Sequence, residues 1–259
     1  MPGKKPLNIA PDDSLWLYDG SLKGLYCCIY ESVYSGKLPI DIQPAHAAAP
    51  SLLAQRYIET DAERAARVRQ GIGRKISPAA LSLVETVFLS CLAQKEIITL
   101  RFLLLGFAHG GSTLSALQNP TVRAMQKAER HLLGEAHLLT GFIRFSDHGG
   151  NLVASIRPKN FVLPFLADHF IDRLGRETFM IYDKTHRAAL IHEKGRSQIV
   201  EMESLTEFET SEEELYYQAL WKQFYKTLSI EARYNPKCRM THMPKRYWAE
   251  MTEMKGELV

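Results

Sequence analysis

Glu135, His137 and Arg144 are the side chains of this 259-residue chain best suited to moving a proton. Glu135 follows His131 by four residues, so the two share a helix face, and Arg130 and His137 align across seven. A histidine beside a carboxylate suits general acid–base chemistry: the imidazole exchanges its proton near neutrality and the carboxylate sets its tautomer. Arg144 would then meet a phosphate. A metal site would need a third ligand, which His169 or Asp183 supplies only through tertiary folding. Neither HExxH nor the HxE…PCxxC deaminase pattern occurs, so no metal and no cofactor is assigned. The competing reading is a polar network that fixes a helix to the strand after it, with Arg144 in a buried salt bridge to Glu135.

The second set lies near the carboxyl end. Arg233, Lys237, Arg239, Lys245 and Arg246 are interleaved with Tyr234, Tyr247 and Trp248. Cations neutralise phosphates and flat rings stack on exposed bases, so this composition fits a polynucleotide. The alternative is that Tyr247 and Trp248 anchor the segment on the core and the cations form its wet side. Arg64, Arg67, Arg69, Arg74 and Lys75 either extend a basic surface or are a solvated helix face.

Periodicity supplies the elements that must hold these groups. Val122, Met125, Ala128, Leu132, Ala136 and Leu139 recur at steps of three and four and predict a long amphipathic helix, ended by Gly141. The period then changes to two. Phe142–Phe145 reads as a strand, 147–151 as a turn and Leu152–Ile156 as the returning strand. Thr178–Tyr182 and Ala188–Ile191 form a second hairpin around the turn 183–186, and Arg196–Val200 adds a short strand. Ser14–Tyr18 predicts a strand, followed by a turn and a helix from Leu22 that Asp19 or Ser21 caps. Residues 41–50 read as a Pro/Ala-rich connection, and a strand starting at Ile58 enters Asp61, the cap of a basic helix over Ala62–Gln70. Ser77-Pro78 opens another helix, and Ser211 caps one that follows an acidic stretch. The predicted fold class is α+β, an antiparallel sheet built from β-hairpins packed against several helices. It forms one unit, or two closely packed subdomains: a mainly helical one over residues 1–115 and a helix/hairpin one over 116–259.

The net charge of +3 is too small by itself to name a nucleic-acid partner. Cys27, Cys28, Cys91 and Cys238 form no CxxC pair and read as thiols of a reducing, cytoplasmic compartment. The opening MPGKKPLNIAPDD lacks the apolar core of a signal peptide. The apolar run Ile97–Ala108 is interrupted by Arg101 and is too short to span a bilayer, so no membrane is expected.

Several stretches together resemble one family. They are YDGSLKGLYCCIYE (Tyr18–Glu31), GFIRF (Gly141–Phe145), the helix with His169, Phe170 and Arg173, the Tyr182-Asp183 turn, and RYNP…MPKRYW (Arg233–Trp248). In that order they resemble a bacterial family of DNA-metabolism proteins of unsettled chemistry. Its members resemble partners of a radical S-adenosylmethionine protein, and some are fused to a uracil-DNA-glycosylase-like domain. The resemblance implies a DNA-binding accessory in DNA repair or modification that acts with the radical S-adenosylmethionine partner, which holds the cofactor. The alternative is a hydrolase or lyase on damaged DNA using His137, Glu135 and Arg144. A scaffold without nucleic-acid contact is the third class.

Overall fold

The computed structural model describes residues 9–205, 210–228 and 235–254. The chain divides into two compact units, Met1–Leu132 and Leu133–Val259. The boundary falls inside one long helix, whose early apolar residues Val122, Met125 and Ala128 belong to the first core and whose later ones, Ala136 and Leu139, belong to the second.

The first unit is built on a short parallel sheet. Strand β1 (Ala10–Tyr18) is followed by helix α1 (Leu22–Ser35), strand β2 (Lys37–Pro44) and strand β3 (Ala54–Tyr57). The strand order is β2-β1-β3, and β1 is parallel to both neighbours. A parallel pair needs a crossover, which α1 provides between β1 and β2. As the central strand, β1 buries Leu15, Trp16 and Tyr18. Helices α2 (Ala62–Lys75), α3 (Pro78–Phe88), α4 (Lys95–His109) and the first part of α5 (Pro120–Phe142) complete this unit. Ser21, Asp61 and Ser77 cap α1, α2 and α3 by accepting the amides of Gly24, Arg64 and Ala80. Among the described residues one stretch, Lys95–Ser115, is long and apolar enough to cross a membrane, and its Ile97, Leu100, Phe102 and Leu103 lie in the first unit's core.

Gly24 gives a prediction whose sign is diagnostic. In an open helix interior, glycine to alanine gains up to about 1 kcal/mol. Here an added Cβ would sit 2.2 Å from Asp19 Oδ1, 2.8 Å from the Tyr18 ring and 2.9 Å from Thr60 Oγ1. Asp19 cannot easily yield, because its carboxylate accepts from Ser21 N, Ser21 Oγ and Thr60 Oγ1. Gly24→Ala is therefore expected to destabilise the protein by about 1–3 kcal/mol in urea unfolding, the cost of overpacking. A gain in stability would show that the turn gives way.

The second unit holds the larger sheet. Strands β4 (Ser146–Asp147), β5 (Asn151–Ile156), β6 (Thr178–Asp183), β7 (Ala188–Glu193) and β8 (Arg196–Glu201) lie in sequence order, with helix α6 (Leu163–Leu174) between β5 and β6. β5 and β6 are parallel, joined through α6, whereas β4–β5, β6–β7 and β7–β8 are antiparallel. Helices α7 (Glu212–Leu228) and α8 (Pro236–His242) follow, and two short 3-10 turns, Lys245–Glu250 and Thr252–Met254, close the described chain.

These facts correct the predicted architecture. The protein is α+β, but one sheet is wholly parallel and the other mixed, so it is not an antiparallel sheet of hairpins. The first predicted hairpin shrinks to two residue pairs, Ser146 with Val153 and Asp147 with Leu152. α5 runs on through Gly141 to Phe142, and 143–145 is irregular. The connection expected over 41–50 instead begins with the second half of β2, and β3 ends just before the strand expected at Ile58. The hairpin around 183–186 and the strand after it form as expected.

Candidate functional site

Glu135 sits on α5 and is 2% exposed. Its carboxylate accepts the Asn160 amide at 2.8 Å, the Asn160 side-chain amide at 2.6 Å and the Lys159 amide at 3.1 Å. The Tyr247 hydroxyl donates to it at 3.2 Å, and the Arg246 guanidinium lies 3.1 Å away. Burial alone would raise this carboxyl, but the amides of Asn160 and Lys159, the Asn160 side chain and Arg246 hold it below the ordinary glutamate range. Glu135 thus ties α5 to the loop after β5 and to the closing segment. Tyr247, hydrogen-bonded to Arg246 and Glu135, has its hydroxyl pushed up to about 12, chiefly by burial.

Arg144 belongs to a different network. Its Nη2 is 2.6 Å from Glu253 Oε1, and its Nε donates to both Glu253 oxygens at 3.1 and 3.2 Å. Trp221 Nε1 donates to Glu253 Oε2 at 3.1 Å, and the Arg144 guanidinium lies 5.5 Å from the Trp221 ring centre. Burial would raise the Glu253 carboxyl, but Arg144 and Trp221 hold it low. The salt bridge expected between Arg144 and Glu135 is therefore two separate pairs, Arg144–Glu253 and Arg246–Glu135. His137 is exposed on α5, and its carbonyl accepts the Thr140 hydroxyl. A carboxylate saturated by five donors and an arginine already paired are not a waiting base and anion clamp, so Glu135, His137 and Arg144 do not assemble into a proton-transfer site. Asp183 is 0% exposed and is committed to its turn, accepting Thr185 N, His186 N and His186 Nδ1. His169 packs against Phe170. Among the described residues no three His, Cys, Asp or Glu side chains are grouped to hold a metal.

In the closing segment the two described rings lie inside, not at the surface. Tyr247 and Trp248 are 4% and 3% exposed and belong to the second core. Trp248 Nε1 donates to the Met243 carbonyl at 3.0 Å, and Tyr247 leans on Phe142. The segment's cations cover these rings: Arg239 lies 4.7 Å and Lys245 5.7 Å from the Trp248 centre, and Arg246 4.6 Å from that of Tyr247. The rings therefore offer no free face for a base. Lys237 is exposed on α8, and Arg233 and Tyr234 lie outside the described residues.

Exposed rings do occur on α7, which has no buried residue. Tyr217, Trp221 and Phe224 are 58%, 40% and 53% exposed. Their spacing of four and three puts them on one helix face. They line a cleft of about 850 Å³ whose other walls include Arg144, Phe145 and Arg173. Polar contacts seat the helix: Glu214 accepts the Asp147 amide at 3.1 Å, and Gln218 donates to Ser146 Oγ at 3.4 Å. The aromatic repeat in LYYQALWKQFY (Leu215–Tyr225) is the signal of this face in the sequence, and the denser cations downstream mask it.

The cleft thus joins exposed rings to two arginines: Arg173, which is exposed, and Arg144, which is paired with Glu253 and lies against Trp221. The family described as a domain of unknown function, DUF4130, matches residues 93–253. The chain belongs to that family, and the match takes in both networks and the cleft. No curated protein matches the chain, and neither does any solved structure.

Proposed function

We propose that the protein is a nucleic-acid-binding accessory in DNA repair or modification, acting beside a radical S-adenosylmethionine partner, and that the α7 cleft takes an unpaired strand. The observation that carries the reading is the single cleft shared by Tyr217, Trp221, Phe224, Arg144 and Arg173. Ring faces stack on unpaired bases of any sequence, and the exposed Arg173 attracts the backbone. The resemblance of most of the chain to DNA-metabolism proteins supports the partner class. The runner-up, hydrolysis or lyase chemistry at His137, Glu135 and Arg144, has no assembled site behind it.

Fluorescence anisotropy with labelled single- and double-stranded oligonucleotides tests the proposal. Single strands are expected to bind better, and more weakly as salt rises. Tyr217→Ala and Phe224→Ala, at exposed positions, should each weaken binding by about 5- to 150-fold, the loss of one stacked base. Arg173→Glu should flatten the salt dependence by about one released counterion. Equal affinity across the wild type and all three variants would reject the cleft as the contact surface.

A further inference from the structure

Cys91, in the loop between α3 and α4, is exposed, while Cys27 and Cys28 are buried. Its Sγ lies 3.9 Å from Nδ1 of His131, which is exposed on α5. With the ring proton on Nε2, Nδ1 is the acceptor for the thiol proton.

The loop is held in place. Lys95 Nζ donates to the carbonyls of Phe88 at 2.5 Å and Ser90 at 3.3 Å. Ser90 Oγ donates to the Val87 carbonyl at 2.6 Å and accepts the Leu92 amide at 3.3 Å. Cys91 is thus presented to solvent on a pinned turn, with an imidazole in reach and an ammonium group nearby. The Lys95 ammonium sits on the carbonyl of Ser90, the residue before Cys91. Reactive cysteines occupy such exposed, cation-flanked places, whereas buried ones are inert. Cys27 and Cys28 differ. Cys27 exchanges hydrogen bonds with the Asp61 backbone, and Cys28 is pushed up by burial. Cys238 is exposed on α8.

We propose that Cys91 and His131 form a nucleophilic thiol–imidazole pair that takes up small disulfides by S-thiolation. The thiol proton passes to His131 Nδ1, and the thiolate attacks one sulfur of the disulfide. The disulfide's S–S bond breaks as a Cys91 Sγ–S bond forms, and the departing thiolate takes the proton from His131. The Cys91 sulfur is oxidised and the released thiol is reduced, so the disulfide is the only oxidant needed. This site is independent of the α7 cleft.

The probe is oxidised glutathione with the full chain, followed in time by peptide mass mapping. Cys91 is expected to be modified about tenfold faster than Cys238, the exposed thiol in the same molecule. His131→Gln and His131→Asn should both slow Cys91 to about the Cys238 rate, and the buried Cys27 and Cys28 should stay unmodified, which reports that the first unit keeps its fold. Modification of Cys91 no faster than Cys238, or equally fast in both His131 variants, would overturn the pair.

Discussion

Glu135→Ala is expected to cost about 3–5 kcal/mol, because several donors lose one shared buried acceptor at about 1–3 kcal/mol for each left unsatisfied, while the exposed Arg246 falls back on water. That is a large share of the roughly 5–15 kcal/mol that holds a domain folded. The removed carboxylate is the common acceptor for Lys159 N, Asn160 N, Asn160 Nδ2 and the Tyr247 hydroxyl, and the counter-ion of Arg246. Each donor left buried and unmatched adds its desolvation penalty. Glu135→Gln should be damaging too, though less so: its carbonyl oxygen still accepts, but its amide faces groups that are themselves donors. His137→Ala, two residues along the same helix, should move stability by less than about 0.5 kcal/mol, as exposed positions do. Denaturant unfolding followed by Trp221 and Trp248 fluorescence reads this comparison. Similar stability in Glu135→Ala and His137→Ala would mean that Glu135 is not the tie described here.

The same residues show how far the sequence could be read. The apolar stripe from Val122 to Leu139 marked α5 because helix spacing is a local property. The β6–β7 hairpin was equally legible, since its strands are neighbours in the chain and close on a four-residue turn. The parallel pairings were not. β5 meets β6 across α6, and β2 meets β1 across α1, so no local pattern announces either contact. β2 was further disguised by Pro39 and Pro44, which suggest a connection; proline is tolerated there because β2 is an edge strand. At the site, residue types were visible and burial was not. Arg239, Lys245 and Arg246 beside Tyr247 and Trp248 look like a phosphate-and-base surface, yet the cations lie over their own rings. Glu135 and Arg144 looked like partners by proximity in sequence. Their actual partners, Arg246 and Glu253, lie more than a hundred residues away in the chain.

Arg144→Met should also cost about 3–5 kcal/mol at neutral pH, and the size of that loss should depend on pH. Methionine keeps much of the apolar stem but leaves Glu253, whose side chain is 1% exposed, as a buried charge with only Trp221 Nε1 and backbone to hold it. In the wild type the Glu253 carboxyl is held below its ordinary value of 4.5. A carboxyl lowered in this way adds stability that is full above the unfolded value and is lost as pH falls through the folded one. Glu135 and Glu250 are lowered as well, Glu250 because Arg157 and Lys184 outweigh its burial, so three carboxylates of the second unit weaken together in acid. In the first unit Glu96 is raised, chiefly by burial, and its contribution runs the other way, lost as pH rises above the ordinary value. With Arg144 gone, burial dominates at Glu253, and the variant gains relative to the wild type as the medium becomes acid enough to protonate that carboxyl. The gap between wild type and Arg144→Met should therefore narrow as pH falls through the ordinary glutamate value and close as it passes the lowered Glu253 value, leaving only the lost packing. Urea unfolding between neutral pH and pH 3 measures the gap. A gap that stays constant over that range would assign the loss to packing alone and remove the Arg144–Glu253 pair as the electrostatic tie beneath the α7 cleft.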